Sequence, residues 1–293
     1  MKNIAFIINP ISGTINKRRL PKAIEHGIDH ERWATDIVFT EYKGHATELA
    51  KQYARLGFDA VVAVGGDGTV NEVASGLRGT QTALGIIPVG SGNGFARHLQ
   101  IPLRVPGAIE MLNHAEPITV DYGMLDDQPF FCTCGIGFDA TISEHFAEAG
   151  KRGIKTYLEK IVKDFFGYET EQYHITGDGI DITTKAFLIT FANANQWGYA
   201  AYIAPKASIQ DGKLDIAILS KVPIIAVPAV ALRLMTKTLD SDLFMHTVHA
   251  KEITLVREKE GAMHIDGDPI QKGKEVKIRI VEDGLRVMVA KRF

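Results

Sequence analysis

Residues 60–72, AVVAVGGDGTVNE, constrain this chain more than any other stretch. Five small or β-branched apolar residues, 60–64, have the pattern of a short strand buried on both faces. Gly65, Gly66, Asp67 and Gly68 follow, and Thr69 stands three residues before Glu72, the spacing of a capping box at a helix start. The local reading is strand, tight turn, helix. With no Cβ at Gly65, Gly66 and Gly68, the backbone is open to a ligand's phosphates, and a helix N-terminus favours their negative charge. Asp67 is the odd member, because a carboxylate repels phosphate unless a cation lies between them. It is a candidate Mg2+ partner or charge organiser at a nucleotide site. A turn kept glycine-rich for steric reasons alone is the plainer alternative.

The surrounding chain alternates in the same way. Residues 4–8, 36–40 and 84–89 read as further strands. Residues 46–56, 70–77 and 106–113 read as helices, the first stopped by Gly57 as a C′ residue. A basic run, Lys17-Arg18-Arg19, opens another helix. This alternation predicts a parallel, doubly wound α/β sheet, whose ligands bind beyond the carboxyl ends of the strands. Four loops lie there, at residues 9–13, 40–45, 65–69 and 90–94. Asn9, Thr40, Ser91 and Asn93 sit in or beside them. Taken singly, such residues fill turns and caps; four such loops at one sheet edge are a stronger signal.

After about residue 120 the texture changes. Short runs at 130–134, 179–184, 186–193, 213–219, 251–256, 275–280 and 285–289 are punctuated by Asp-Gly turn signals at 177–179, 211–212, 266–268 and 283–284. They predict a largely antiparallel β domain. At 293 residues the chain is long enough for two domains.

Composition narrows the function. The net charge is −2, so no basic field points to nucleic acid. Cys132 and Cys134 form a C-x-C in an apolar run, where alternate side chains leave opposite faces of a strand, so both read as core thiols in a reducing cytoplasm. The N-terminus reads as a first strand rather than a signal peptide. The longest apolar run, 222–235, is shorter than the roughly 18–20 residues of a membrane span. The expectation is a soluble cytoplasmic protein, with two places for peripheral contact with an anionic membrane at its inner face. Residues 151–166 and 221–237 are amphipathic and basic, and each fits a packed helix with a solvated face or an interfacial helix.

There is no G-x-x-x-x-G-K-[ST] loop and no protein-kinase signature set. Two acidic turns stand out in the second half. Asp211-Gly212-Lys213-Leu214-Asp215 reads as a solvated hairpin turn, or as a cation site of carboxylate and carbonyls. Asp266-Gly267-Asp268 reads first as a turn; a carboxylate there also suits removal of a proton from a substrate hydroxyl.

In order, the blocks are Asn9-Pro10 with Ser12-Gly13, Thr40 with Gly44-His45-Ala46, Gly65 to Thr69 with Asn71-Glu72, and Pro88 to Arg97. Then come Asp121, Gly135-x-Gly137-x-Asp139, Asp211-Gly212-x-Leu214-Asp215 and Asp266-Gly267-Asp268. This set resembles the soluble lipid-kinase family built on the diacylglycerol kinase catalytic domain, which includes sphingosine and ceramide kinases. The resemblance implies an α/β nucleotide-binding domain over residues 1–122 and a C-terminal antiparallel β-sandwich, the lipid-substrate domain, over 123–293. The last strand can return to the first domain, and the cleft lies between the two. It implies ATP and Mg2+ as cofactors and transfer of the γ-phosphate to a hydroxyl of diacylglycerol or a related lipid. Asn9, Thr40, Gly65, Gly66, Asp67, Gly68, Thr69, Val70, Asn71, Ser91 and Asn93 would hold the nucleotide. Asp67 and Asp121 would join the Mg2+ and water network. Asp211 would bind a structural Mg2+ with carbonyls near Ser208 and Lys213, and Asp268 would be the general base.

Two departures stand in this sequence. Gly94 occupies a position where many bacterial members have Asp, a form more like sphingosine and ceramide kinases. Asp268 replaces the usual Glu, one methylene longer. NAD kinases and phosphofructokinases share the Gly-Gly-Asp-Gly core but lack the combination of the Ser91–Arg97 block with the Asp211–Asp215 turn. A kinase of a soluble acceptor and a non-catalytic lipid- or nucleotide-binding homologue are the competing readings. The sequence is compatible with a homodimer and names no particular lipid.

Overall fold

The computed structural model describes residues 1–13, 19–149, 163–165 and 167–291. The chain divides into two compact units, Met1–Tyr122 with Glu282–Phe293, and Gly123–Val281. The basic residues Lys17 and Arg18, and nearly all of the amphipathic stretch 151–166, lie outside the described residues.

The first unit is built on a parallel sheet. Strands β1 (Lys2–Ile8), β2 (Trp33–Phe39), β3 (Ala60–Gly65) and β4 (Ala83–Pro88) run in the order β2-β1-β3-β4. Every residue of β3 and β4 is buried, as expected of strands covered on both faces. Helices α1 (Leu20–Gly27), α2 (His45–Arg55), α3 (Asp67–Leu77), α4 (Gly94–His98) and α5 (Val105–His114) alternate with them. Right-handed crossovers put α2 and α3, which step the chain in one direction, on one face and α1, which steps it back, on the other. The packing agrees, since α2 lies against α3 and α1 against α5. Gly76 lets α2 and α3 approach; a Cβ there would come within 2.7 Å of Ala50 Cβ and the Thr47 carbonyl. The predicted stop at Gly57 is present: its φ is +76°, and Gly57 and Phe58 N–H donate to the Ala54 and Tyr53 carbonyls. In the order β2-β1-β3-β4 the connections diverge between β1 and β3, so the switch point of the sheet lies at residues 9–13 and 65–69.

The second unit pairs two antiparallel sheets. One is ordered β12 (Met245–Ala250), β11 (Leu214–Leu219), β10 (Leu188–Ala192), β7 (Thr133–Gly137), β14 (Gly261–Ile265) and β15 (Asp268–Lys272). The other contains β9 (Ile180–Ala186), β8 (Glu171–Gly177), β13 (Glu252–Arg257) and the start of β16 (Glu275–Val289). Strand β5 (Glu116–Leu125) begins in the first unit, and its end pairs with β6 (Gln128–Phe130) as a hairpin in the second. Inward residues of both sheets, among them Phe130, Phe191, Ile216, Leu255 and Ile278, form one core between them, the arrangement of a β-sandwich. Helices α6 (Phe138–Ala149) and α7 (Val227–Met235) accompany the sheet of β10 and β11.

Three local expectations are corrected. Residues 130–134 are not one strand: the chain breaks between β6 and β7, where the Asp266 carboxylate accepts the N–H groups of Phe131, Cys132 and Thr133 at 2.8–3.3 Å. Asp283-Gly284 is not a turn between strands. It is a distortion inside β16, with Asp283 at φ +50° and its N–H bonded to Asp121 Oδ1 at 2.8 Å. The capping box is absent as well. Helix α3 begins at Asp67 with Gly66 as N-cap, so Thr69 lies inside the first turn. Cys132 and Cys134 are buried free thiols.

Candidate active site

The loops at the carboxyl edge of the first unit's sheet are fastened to one another by side chains and by glycine. From the end of β1, Asn9 Nδ2 donates to Thr69 Oγ1 at 3.0 Å across the switch point. The Asn9 amide oxygen accepts the Ile11 N–H, and Ser12 Oγ donates to the Asn9 carbonyl, which shapes residues 9–13 into a turn. Gly13, at φ +60°, has no room for a side chain, since a Cβ would overlap the Val89 carbonyl oxygen. Thr40 is buried, and its N–H continues the ladder to the Ile8 carbonyl at 2.9 Å.

The two glycine-rich loops meet backbone to backbone. A Cβ on Gly90 would lie 2.5 Å from Gly66 Cα, and one on Gly65 would overlap the Thr69 side chain. Close approach is therefore what requires glycine at these positions. Asp67 then links the loops: Oδ2 accepts the Asn93 N–H at 2.7 Å and Oδ1 the Gly94 N–H at 2.8 Å. A carboxylate on the first N–H groups of α4 is favoured by charge and by hydrogen bonding together. Asn93 is held in the left-handed region at φ +53°, with its own amide donating to the Gly90 carbonyl at 2.9 Å. Gly94, the departure noted above, contributes its N–H to Asp67.

Glu72 also has an observed role. Its carboxylate accepts the Gly44 and Ala46 N–H groups at 2.9 and 3.3 Å, capping α2 from a neighbouring helix. The 40–45 loop is thus tied to α3. The structure brings together Asn9, Thr69, Gly65, Gly66, Asp67 and Asn93. Val70 is buried, its N–H already bonded to the Gly66 carbonyl, and the Asn71 amide oxygen accepts from Ser75 Oγ. Ser91 is exposed in the 90–94 loop. The N–H groups of Gly68 and Thr69, in the first turn of α3, have no acceptor in the helix ladder and are suited to an anion. Asp121 is buried on β5, with Oδ1 accepting the Asp283 N–H.

The second unit carries the two acidic turns at one end of one sheet. The register runs Asp215 to Ala192 to Thr133, and Cys134 to Ile265 to Asp268. The Asp211 and Asp268 turns therefore share a sheet edge, four strand spacings apart, roughly 19 Å. Asp266 and Gly267, at φ +47° and +89°, form a two-residue hairpin turn of the I′ kind, and Asp268 is exposed as the first residue of β15. The two carboxylates of this turn are unlike: Asp266 is spent on three backbone N–H groups, and Asp268 stands outside that arrangement.

At the other turn, Asp211 Oδ1 accepts the Lys213 N–H at 3.2 Å and Ser208 Oγ accepts the Gln210 N–H at 3.3 Å. Asp215 is buried, and burial, aided by the Asp211 charge, pushes its carboxyl up to about 6 against the opposing pull of His249. No group of three or more His, Cys, Asp or Glu side chains suited to a metal occurs among the described residues. The donors at Asp211 instead suit a hard cation held by one carboxylate and backbone oxygens, whose charge would offset the Asp211–Asp215 repulsion.

A buried cluster escaped the sequence reading. His264 of β14, Asp139 of α6 and Thr190 of β10 are all buried and in contact. Asp139 belongs to the Gly135-x-Gly137-x-Asp139 block, but the sequence assigned it no partner. No helix among the described residues is long and apolar enough to cross a membrane.

Residues 3–125 match the diacylglycerol kinase catalytic domain, and residues 132–289 match the YegS C-terminal NAD kinase beta sandwich-like domain. A diacylglycerol kinase of Bacillus subtilis is 31% identical over 231 residues, covering 75% of each chain. A probable lipid kinase YegS-like of Pseudomonas putida is 32% identical over 191 residues and 64% of each chain. The chain likewise spans only 64% of a Synechocystis sp. protein to which it is 29% identical over 292 residues. In fold it resembles the crystal structure of a diacylglycerol kinase from Bacillus anthracis, with a TM-score of 0.77 at 22% identity over 98% of this chain and 96% of that one. With the glycine-bearing switch point and the sandwich both in place, the chain belongs to the lipid-kinase family of the diacylglycerol kinase catalytic domain.

Proposed function

We propose that the protein is an ATP-dependent kinase that transfers the γ-phosphate to a hydroxyl of diacylglycerol or a related lipid. The observation that carries this reading is the locked edge of the first unit, where Asn9, Asp67 and the Gly66–Gly90 contact hold three loops around the bare N-terminus of α3. Such an edge binds polyphosphate through backbone N–H groups, and phosphoryl transfer asks for little beyond positioning and charge stabilisation.

In this reading residues 1–122, with the returning end of β16, bind the nucleotide, and the second unit binds the lipid. Gly68 and Thr69 N–H groups cradle phosphate, Asn9, Thr40 and Ser91 orient the nucleotide, and Asp67 keeps the α4 loop in register with α3. Asp67 and Asp121 belong to the Mg2+ and water network, and Asp211 holds a structural Mg2+ with carbonyls near Ser208 and Lys213. Bound Mg2+ supplies neutralisation of the charge on the phosphates. Asp268 accepts the proton of the acceptor hydroxyl, a role its exposed carboxylate at the start of β15 suits.

Access to a bilayer lipid needs a surface that reaches it. Ile225 and Leu243 are 92% and 97% exposed, and Ile224, Leu232 and Met235 are also exposed, with Lys221 and Lys237 beside them. We assign this α7 region to peripheral contact with an anionic membrane.

The test is transfer of labelled γ-phosphate from ATP in mixed micelles containing diacylglycerol, sphingosine or ceramide, with NAD as a soluble acceptor. Labelled lipid is expected, and Asp268→Ala is expected to lower kcat by at least about 100-fold. Transfer to NAD alone would replace the lipid reading with a soluble acceptor. No transfer to any acceptor would leave a non-catalytic homologue.

A further inference from the structure

Strand pairing brings Thr190, Gly135 and His264 into one row of the second unit. Gly135 of β7 faces Thr190 of β10 on one side and His264 of β14 on the other. Directly paired residues project to the same face of a sheet, so the Thr190 and His264 side chains flank the bare Cα of Gly135. Asp139, in the first turn of α6, occupies the space that a side chain would need. A Cβ on Gly135 would overlap Asp139 Oδ2 and approach His264 Nε2 to 2.6 Å.

The hydrogen-bonding pattern gives the cluster a direction. Thr190 Oγ1 donates to Asp139 Oδ2 at 2.5 Å, and His264 Nε2 lies 2.9 Å from Asp139 Oδ1. The latter contact is off the ring N–H axis, so Asp139 steers the imidazole by charge and packing rather than by a linear hydrogen bond. On its other edge, His264 Nδ1 accepts the Gly267 N–H at 3.3 Å. That bond puts the lone pair on Nδ1 and the proton on Nε2, the tautomer a carboxylate beside Nε2 favours.

Gly267 is the middle of the turn that presents Asp268. Nothing packs within 4 Å of where its side chain would be, and its φ is +89°. No neighbouring side chain packs on this glycine to hold its peptide. The turn is closed by the Ile265–Asp268 pair, anchored by the Asp266 N–H on the Thr133 carbonyl and the Asp266 carboxylate on the N–H groups of Phe131, Cys132 and Thr133, and the His264 bond holds the Gly267 peptide itself.

We propose that His264 is a positioning residue for Asp268, with Asp139 and Thr190 setting the ring that holds the turn. The proposal rests on the reading of Asp268 as proton acceptor, and it gives the Gly135-x-Gly137-x-Asp139 block a purpose. Gly135 makes room for the cluster and Asp139 orients its histidine.

Two substitutions separate this role from packing. The amide oxygen of His264→Asn stands near the Nδ1 position and accepts the Gly267 N–H. The longer His264→Gln extends toward Asp139 and leaves that N–H without an acceptor. His264→Gln is expected to lower kcat about 10- to 100-fold with KM for ATP unchanged, and His264→Asn to recover most of that loss. Amide hydrogen exchange at Gly267 is expected to quicken in the Gln variant and stay slow in the Asn variant. Wild-type kcat in His264→Gln, or equal loss in both variants, overturns the proposal. So does unchanged exchange at Gly267 in His264→Gln. If Asp268→Ala keeps full turnover, the reading of Asp268 itself falls, whereas loss in Asp268→Ala with normal kcat in His264→Gln removes only the role of the histidine.

Discussion

Asp67 shows how much can depend on one carboxylate. Its two oxygens hold two N–H groups of the loop that follows β4, so the charge that seemed out of place in a phosphate turn has local partners. Asp67→Asn retains the shape but offers one acceptor and one N–H donor to a pair of donors. One backbone N–H is then left facing another, which costs about 1–3 kcal/mol. The variant is expected to melt at a lower temperature and to lose at least about 100-fold in kcat, measured by thermal melts and by the micelle assay. The position of Asp67 was legible in the sequence, and its partners were not. Glu72 is the same case. The three-residue spacing to Thr69 suggested a box within one helix, whereas the acceptors it supplies cap α2, reached through the fold.

The loops at the end of β3 and β4 carry their meaning as a pair. Gly66 and Gly90 cross so closely that a Cβ on Gly90 would lie 2.5 Å from Gly66 Cα, and Gly90 tolerates no side chain. Gly90→Ala forces the strands' ends apart and is expected to destabilise the first unit by about 1–3 kcal/mol. Protection of that unit from thermal unfolding by ATP is expected to vanish in the same melts. At this scale the sequence was a good guide where one segment suffices. The apolar runs of β3 and β4 and the Gly57 stop were legible because periodicity and a left-handed cap are local properties. It was a poor guide where a distant group intervenes. The break after Phe130 is made by Asp266, and the distortion at Asp283 accompanies a bond to Asp121; nothing within either segment announces them. The His264–Asp139 pair was hidden for the same reason, because only strand order brings β14 beside β7.

For the molecule as a whole, Asp215 links stability to pH. Its carboxyl is raised to about 6 in the folded chain by burial and by the Asp211 charge, above its ordinary value of 3.8. The native state therefore holds a proton that the unfolded chain releases. The stabilisation is full below about pH 4 and is lost as pH rises through about 6. Asp215→Asn is expected to flatten that decline in melts between pH 4 and 7. Millimolar Mg2+ is expected to raise the melting temperature of the wild type more at pH 7.5 than at pH 5, where the proton already offsets the repulsion. Equal shifts at both pH values would remove Asp211 from cation binding. The proposed membrane contact is tested at the same scale: Ile225→Asp, at a 92% exposed position, is expected to reduce sedimentation with anionic vesicles while leaving melts unchanged.

Strand β16 has a consequence for how the protein is made. It starts in the second unit, but Leu285, Val287 and Met288 are buried in the first, where Val287 pairs with Leu84 and Arg286 donates to the Gln81 carbonyl at 2.7 Å. On the ribosome, residues 1–122 emerge early yet lack these side chains until residues 285–288 have been translated. The first unit is therefore begun before the second and completed after it. A nascent chain halted anywhere before residue 285 carries β4 with an unfilled edge, a surface for chaperones or for a wrong strand to occupy.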